Sequence, residues 1–126
     1  MSRCLIDTDV MIDVSRGNPA AAGYVDSLDD IAISSITANE LIVGARDKRD
    51  LEAIDNLVSQ YPIVHLDAET DGLSYHLLKR YAKSNGLRSF DALIASTALN
   101  QELILVTKNR KHFSMIEGLH LQVPEY

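Results

Sequence analysis

An alternation between short apolar runs and longer segments of helical periodicity extends along the chain and constrains its fold more than any other feature. The runs are rich in Ile, Leu and Val, and a helical pattern separates each run from the next. Strands that alternate with helices are typical of α/β domains with parallel sheets. The sequence therefore predicts a three-layer α/β fold with a central, mostly parallel sheet of four or five strands. The predicted strands are residues 3–6, 31–34, 63–66, 103–107 and, with a weaker pattern, 119–123.

Local sequence signals mark the start of one predicted helix and the end of another. Asn18-Pro19 predicts a helix that starts at Pro19 and runs to about residue 28, because Pro suits the first helical position. Asn85-Gly86 predicts the end of a long helix over residues 68–84. Further helices are expected to begin at Thr37, near Asp50 and just after Ser89.

Composition narrows the class of protein. We find no repeat, low-complexity segment or linker, so a single domain over residues 1–126 is expected. The longest apolar run, residues 103–106, is too short to span a bilayer. The start of the chain does not resemble a signal peptide. The single cysteine, Cys4, excludes an internal disulfide and fits the cytoplasm, and the lack of a Cys/His cluster argues against a structural zinc site.

The charge distribution is uneven. The net charge of −6 argues against a protein that coats nucleic acids non-specifically. Seven of the 12 Lys and Arg residues nevertheless lie between positions 79 and 111. This cluster is either a solvated helix face or a local phosphate-binding surface.

Carboxylates and hydroxyls follow the predicted strands. Asp7 follows the first strand, and Glu40 lies one helical turn beyond the second. Thr107 ends the fourth strand, with Asn109 just after it, and Asp91 lies in the first turn of a helix. The carboxyl ends of parallel strands meet at one edge of the sheet, where functional groups of such folds lie. Converging carboxylates repel one another, and a divalent cation such as Mg²⁺ relieves that repulsion. The pattern therefore indicates a metal site.

Each acid also has a structural explanation. Thr37 and Glu40 match a capping box, in which Thr37 is the N-cap residue. Asp91 suits the first turn of a helix, and Asp9 suits an N-cap position. Asp13 is expected to face solvent. These explanations remain open on the sequence alone.

Four segments resemble, in order and spacing, the motif blocks of PIN-domain ribonucleases, and within them the VapC-like toxins of bacterial toxin–antitoxin pairs. The segments are LIDTDVMID, SSITANELIVGA, SFDALIASTAL and LILVTKNRKHF, and together they extend over nearly the whole chain.

By this resemblance Asp7, Glu40 and Asp91 are the metal-binding acids, and Thr8 and Thr107 are supporting hydroxyls. The sequence departs from the family pattern twice. Asp9 stands where Asn is common, and Asn109 and His112 stand where a fourth acid is usual. Asp9 is expected to offset part of the missing charge, and Asn109 and His112 to act as supporting residues.

The resemblance implies a Mg²⁺- or Mn²⁺-dependent endoribonuclease that attacks RNA with a metal-activated water. No Ser, Cys or His is paired with a base as a nucleophile would require. Arg88, Lys108 and Arg110 are expected to hold the RNA backbone. A cognate antitoxin and a second copy of the chain are the implied protein partners. The antitoxin is expected to dock on apolar positions such as Val25, Leu28 and Ile42.

Three other interpretations are possible. Asp7-Thr8-Asp9 after a strand also opens the haloacid-dehalogenase-type phosphatases, but the acidic pair that these enzymes need later in the chain is missing. A phospho-accepting receiver domain would need an acceptor Asp after its third strand, where Asp67 is the candidate. A catalytically silent PIN-like module that only binds a partner is the third.

Overall fold

The computed structural model describes residues 3–126. Its centre is a five-stranded, wholly parallel sheet with the strand order β3-β2-β1-β4-β5, which confirms the predicted α/β fold. The strands are β1 (Arg3–Ile6), β2 (Asp30–Ser34), β3 (Ile63–Val64), β4 (Ile104–Val106) and β5 (Leu121–Gln122). β1 has the predicted bounds and β2 begins one residue earlier, whereas β3, β4 and β5 are shorter than predicted, because their apolar runs continue into the connecting loops.

Seven helices of the described residues connect and flank the strands. They are α1 (Thr8–Ser15), α2 (Pro19–Asp26), α3 (Ser35–Val43), α4 (Lys48–Val58), α5 (Ala68–Asn85), α6 (Ser89–Asn100) and α7 (Arg110–Phe113). The signals at Pro19 and Gly86 are confirmed: Asn18 caps α2, and Gly86 ends α5 in a left-handed conformation with φ 72°. Among residues 3–126, no helix is both long and apolar enough to cross a membrane.

Alternate residues of the central strands face two separate cores. Leu5 of β1 packs with α5 and α6, whereas Cys4 and Ile6 pack with α1, α2 and α4. In β4, Leu105 and Val106 divide between the two cores in the same way. Burial on both faces explains why these strands read as continuous apolar runs. The three-layer arrangement follows from this, while the single domain over residues 1–126 stays a prediction.

Two helix starts differ from the prediction. The helix expected from Thr37 begins at Ser35 with Ser34 as its N-cap, so Thr37 is a buried residue inside α3 and the capping box with Glu40 is wrong. The N-cap of α1 is Asp7, so Asp9 lies within the first turn instead of capping the helix. Several adjacent polar residues offer similar capping groups at both places, and the strand ends decide between them.

Candidate active site

The strand order brings three functional segments together. β1 lies between β2 and β4, so Asp7, Ser34 and Thr107 end neighbouring strands at one edge of the sheet. The Asp7 N–H donates to the carbonyl oxygen of Val106 at 2.9 Å, which joins the end of β1 to the end of β4. The predicted convergence of these strand ends is therefore present.

Asp7 is the most deeply buried acid at this edge, with 4% of its surface exposed. Its Oδ1 accepts a hydrogen bond from the Thr8 N–H at 2.8 Å, and its Oδ2 accepts one from the Thr107 hydroxyl at 2.7 Å. Burial, and then repulsion from Asp9, raises the pKa of Asp7 to about 7 although both hydrogen bonds lower it. In residues 3–126 no Lys or Arg forms an ion pair with this carboxylate. A bound cation would relieve its unfavourable charge.

Glu40 is joined to Asp7 through Thr8. The Thr8 hydroxyl donates to Glu40 Oε1 at 2.7 Å, while the Thr8 N–H contacts Asp7. The Thr37 hydroxyl lies 2.9 Å from the Thr8 hydroxyl and must be the donor there, because Thr8 has given its single proton to the carboxylate. Thr37 thus orients Thr8, a role that the sequence analysis missed because Thr37 also fitted a cap.

Asp9 bridges α1 and the loop that follows β4. Its Oδ1 accepts from the Val10 N–H at 2.7 Å and its Oδ2 from the Lys108 N–H at 3.0 Å. Burial raises the pKa of Asp9, against these hydrogen bonds, which lower it. Asp9 therefore holds the loop close to Asp7 as well as adding charge.

Asp91 enters from the first turn of α6. Burial raises its pKa, while the nearby charges of His112 and Arg88 oppose that rise. His112 Nδ1 lies 3.5 Å from Asp91 Oδ2. The pair places His112, from α7, beside an acid of the site.

One open cavity of about 370 Å³ collects most of the predicted residues. Of the predicted basic residues, only Arg88 lines it. The side chain of Lys108 instead reaches Asp13, which is therefore not simply solvent-facing, and Arg110 lies outside the lining. The lining residues are Asp7, Thr8, Asp9, Ile12, Glu40, Arg88, Ser89, Phe90, Asp91, Asn109 and His112.

The lining suits a hard divalent cation, because four of its 11 residues carry carboxylates. In the side-chain positions described for residues 3–126, however, no three acidic, His or Cys side chains lie close enough to share one ion. Glu40 and Asp91 each have another partner, Thr8 and His112. The acids are thus gathered around one cavity without forming a closed ligand shell.

A second, apolar cavity of about 300 Å³ adjoins the first and shares Glu40 and Phe90 with it. Phe90 is 57% exposed and Val43, at the end of α3, is 84% exposed. Large apolar side chains exposed together often mark a binding surface. We call Ile36, Val43, Gly44 and Phe90 the apolar surface. No sequence pattern indicates this surface, because Phe90 and Val43 also fit helix faces that pack on a sheet.

Comparison with known proteins agrees with this arrangement. The family model of the PIN domain matches residues 4–119. Ribonuclease VapC19 of Mycobacterium tuberculosis is 33% identical over 120 residues, which are 91% of this chain and 95% of that protein. The tRNA(fMet)-specific endonuclease VapC of Shigella flexneri is 29% identical, over 97% of this chain and 98% of that protein.

A solved toxin–antitoxin complex from Klebsiella pneumoniae contains a chain of the same fold. That chain superimposes on this one with a TM-score of 0.81 and 29% sequence identity, over 96% of this chain and 97% of the other. Because the PIN domain family model matches residues 4–119, the PIN domain replaces the phosphatase and receiver interpretations. On the family model and the relatives together, this chain belongs to the PIN domain family.

Proposed function

We propose that this chain is a divalent-metal-dependent endoribonuclease and the toxin of a toxin–antitoxin pair. Similar proteins along almost its full length are named ribonuclease and tRNA-specific endonuclease. A similar chain occurs in a toxin–antitoxin complex. Cytoplasmic RNA is the expected substrate, and the buried free thiol of Cys4 is compatible with that compartment.

The observation that carries the proposal is the connection of Asp7 to Glu40 through Thr8. Asp7 accepts the Thr8 N–H and Glu40 accepts the Thr8 hydroxyl, and both acids line a solvent-open cavity together with Asp91. A purely structural role for Glu40 would need the capping box, which is absent because Thr37 is not an N-cap. Burial, together with repulsion from Asp9 and Asp91, raises the pKa of Asp7, and such an arrangement is typical of a metal centre.

Mg²⁺ or Mn²⁺ would be held by Asp7, Glu40 and Asp91, with Asp9 supporting them. A divalent ion in this position supplies a lower pKa for a bound water and stabilises charge on a phosphodiester. Thr107 and Thr8 orient Asp7 by the hydrogen bonds that they donate to it. Outer residues of this kind fix the direction of ligand oxygens.

Arg88 is the basic side chain of the cavity and would hold an RNA phosphate. Guanidinium groups suit phosphate oxygens because they donate two parallel hydrogen bonds. Single-stranded RNA is favoured, since an unpaired backbone can enter a recessed cavity. Covalent catalysis has no support in residues 3–126, because Cys4 is buried and no Ser hydroxyl is hydrogen-bonded to His112.

The antitoxin would dock on the apolar surface. The surface adjoins the cavity through Glu40 and Phe90, so a partner bound there can also cover the acids. The sequence-based prediction that the antitoxin contacts Val25 is wrong, because Val25 is fully buried. Leu28 and Ile42, the other two predicted contacts, are half-buried against the same core. A second copy of the chain, forming a homodimer, is the other implied partner.

Cleavage of single-stranded RNA with and without Mg²⁺ tests the proposal. The wild-type protein should cleave only with the metal, EDTA should abolish cleavage, and Asp7→Asn should reduce it at least about 100-fold. Asp55→Asn, at an exposed position of α4, is the matched control and should cleave like the wild type. Undiminished cleavage in excess EDTA would contradict the metal-dependent mechanism.

The silent-module hypothesis also has an observation in its favour. Asn109 and His112 line the cavity where the family usually has a fourth acid, and His112 lies against Asp91. A silent module would bind its partner equally well with Asp7→Asn and would cleave no RNA with either metal.

A further inference from the structure

The carboxylate of Asp13 is the centre of a polar cluster outside the cavity. Its Oδ2 accepts hydrogen bonds from Lys108 Nζ and from the Tyr126 hydroxyl, the latter at 2.7 Å. The Lys108 ammonium also lies 5.8 Å from the centroid of the Tyr126 ring, a distance that suits a cation–π interaction. We call these residues the Asp13–Lys108–Tyr126 cluster.

Tyr126 is itself held in place from two directions. Its ring packs against Tyr24 of α2, with 6.0 Å between the ring centroids. The hydroxyl of Tyr24 in turn is hydrogen-bonded to the amide of Gln122 in β5. The cluster therefore rests on α1, α2 and the segment after β5, and it is an anchored feature rather than a chance surface contact.

The backbone of Lys108 belongs to the site although its side chain does not. The residue before it, Thr107, donates its hydroxyl to Asp7, and the Lys108 N–H donates to Asp9. The residue after it, Asn109, donates its N–H to the Thr107 hydroxyl at 3.0 Å. Three consecutive residues thus fix the loop against both acids.

The two acids that Lys108 contacts lie one helical turn apart. Asp9 and Asp13 are four positions apart in α1, so they lie on the same face of the helix. Asp9 holds the Lys108 peptide and Asp13 holds its side chain. The hydrogen bond from Lys108, followed by the one from Tyr126, lowers the pKa of Asp13, so its carboxylate is the charged partner at neutral pH.

We propose that Lys108 is a positioning residue, which the Asp13–Lys108–Tyr126 cluster clamps so that Thr107 and Asn109 stay in place beside Asp7. This differs from the sequence-based expectation that Lys108 binds the RNA backbone. The inference rests on the proposed ribonuclease function, and it assigns Tyr126, more than 100 positions from Asp13, to the support of the same site.

Salt dependence separates positioning from phosphate binding. A side chain that contacts phosphate displaces a counterion, so its removal lowers the slope of log affinity against log salt by about one unit. A positioning residue has no such effect. Lys108→Met keeps the apolar stem and removes the charge, and Arg88→Met is the matched variant for a residue that lines the cavity.

We expect Lys108→Met, Asp13→Asn and Tyr126→Phe each to lower kcat about tenfold, because small displacements of catalytic groups reduce rates strongly. KM and the salt slope should stay at the wild-type values. Arg88→Met should raise KM and lower the slope. The double variant Asp13→Asn/Lys108→Met should be no worse than either single variant, since both remove one interaction.

Amide hydrogen exchange provides a measurement that needs no cleavage. The N–H groups of Lys108 and Asn109 should exchange about tenfold faster in Tyr126→Phe, because the clamp on the loop is weakened. If the wild-type protein cleaves no RNA, the proposed function fails, but hydrogen exchange still tests whether the Asp13–Lys108–Tyr126 cluster holds the loop in place. Unchanged exchange in Tyr126→Phe, or a lower salt slope in Lys108→Met, would overturn the inference.

Discussion

The Thr8 hydroxyl donates a 2.7 Å hydrogen bond to Oε1 of Glu40, 32 positions further along the chain. Because the Thr8 N–H also contacts Asp7, one residue links two of the three predicted metal-binding acids. The network continues inward to Thr37, which is fully buried. The relative position of the two acids is thus set by the N–H and the hydroxyl of Thr8, and the buried Thr37 hydroxyl fixes the latter.

Thr8→Val should lower cleavage about 10- to 100-fold, the usual effect of losing a residue that orients metal ligands. Valine keeps the shape of threonine but cannot donate to Glu40, whereas Thr8→Ser retains the hydroxyl and should restore most of the activity. Single-turnover cleavage rates at saturating Mg²⁺ measure the effect.

Thr97→Val is the matched control for Thr8→Val. Thr97 is buried like Thr8, with 1% against 9% of its surface exposed, but its hydroxyl donates to the Leu93 carbonyl within its own helix. This variant should cleave like the wild type. Equal rates for Thr8→Val and the wild type would mean that the link between Asp7 and Glu40 has no functional role.

Asp7→Asn should stabilise the metal-free protein at pH 8 while it removes activity. Burial raises the pKa of Asp7 from 3.8 to about 7, so the folded protein binds this proton more tightly than the unfolded chain does. Its contribution to stability is therefore greatest below pH 3.8 and falls as the pH rises to about 7. Asn removes the charge and still accepts the Thr8 N–H bond, as an N-cap residue should.

Thermal unfolding in EDTA at pH 4 and pH 8 measures this effect. At pH 8 the melting temperature of Asp7→Asn should exceed that of the wild type by about 3–6 °C, the shift expected for about 1 kcal/mol. At pH 4 the difference should nearly vanish, and excess Mg²⁺ at pH 8 should stabilise only the wild type. A lower melting temperature for Asp7→Asn at pH 8 would contradict the electrostatic account.

Asp9→Asn, which restores the residue common in the family, should weaken Mg²⁺ binding and cleavage about 3- to 10-fold. Asp9 accepts one N–H on each oxygen, from Val10 and from Lys108. Asn has one oxygen, so its amide group would face an N–H donor on the other side. A calorimetric metal titration measures the affinity, and unchanged affinity together with an unchanged rate would refute a supporting role for Asp9.

Val43→Asp should weaken antitoxin binding without changing RNA cleavage. Val43 lies on the apolar surface, where a buried charge would be unfavourable. Co-purification with the proposed antitoxin, co-expressed with this chain, is the measurement, and Leu51→Asp, an exposed apolar position on α4, is the control. If Val43→Asp instead converts a dimer to a monomer in sedimentation experiments and leaves antitoxin binding intact, the surface is a dimer interface.

The sheet and the grouping of acids follow from local sequence patterns. Alternating strands and helices predict the parallel sheet, and its carboxyl edge then brings together Asp7, Glu40 and the end of β4. These features depend only on apolar periodicity and on a general rule of parallel sheets.

Hydrogen bonds between distant parts of the chain, such as those of Asp13, cannot be predicted in the same way. Lys108 and Tyr126 reach Asp13 across 95 and 113 positions of the chain, and no local pattern indicates such pairs. α3 starts two residues before the predicted Thr37, because Ser34, Ser35 and Thr37 are all plausible caps. Exposure of Val43 and Phe90 likewise depends on how helices pack, which apolar character alone does not decide.

Asn109→Asp, which restores a fourth acid, should raise Mn²⁺ affinity about 3- to 10-fold, because charge count is one of the main determinants of affinity at oxygen-ligand sites. Asn109 lines the cavity, and its side chain makes no capping hydrogen bond to α7, so the new carboxylate replaces no interaction there. Calorimetric titration with Mn²⁺ at low salt measures the change. Asn56→Asp, at an exposed position of α4, adds the same charge away from the cavity and should leave the affinity unchanged. Equal Mn²⁺ affinities for Asn109→Asp and Asn56→Asp would show that position 109 does not contribute to a metal site.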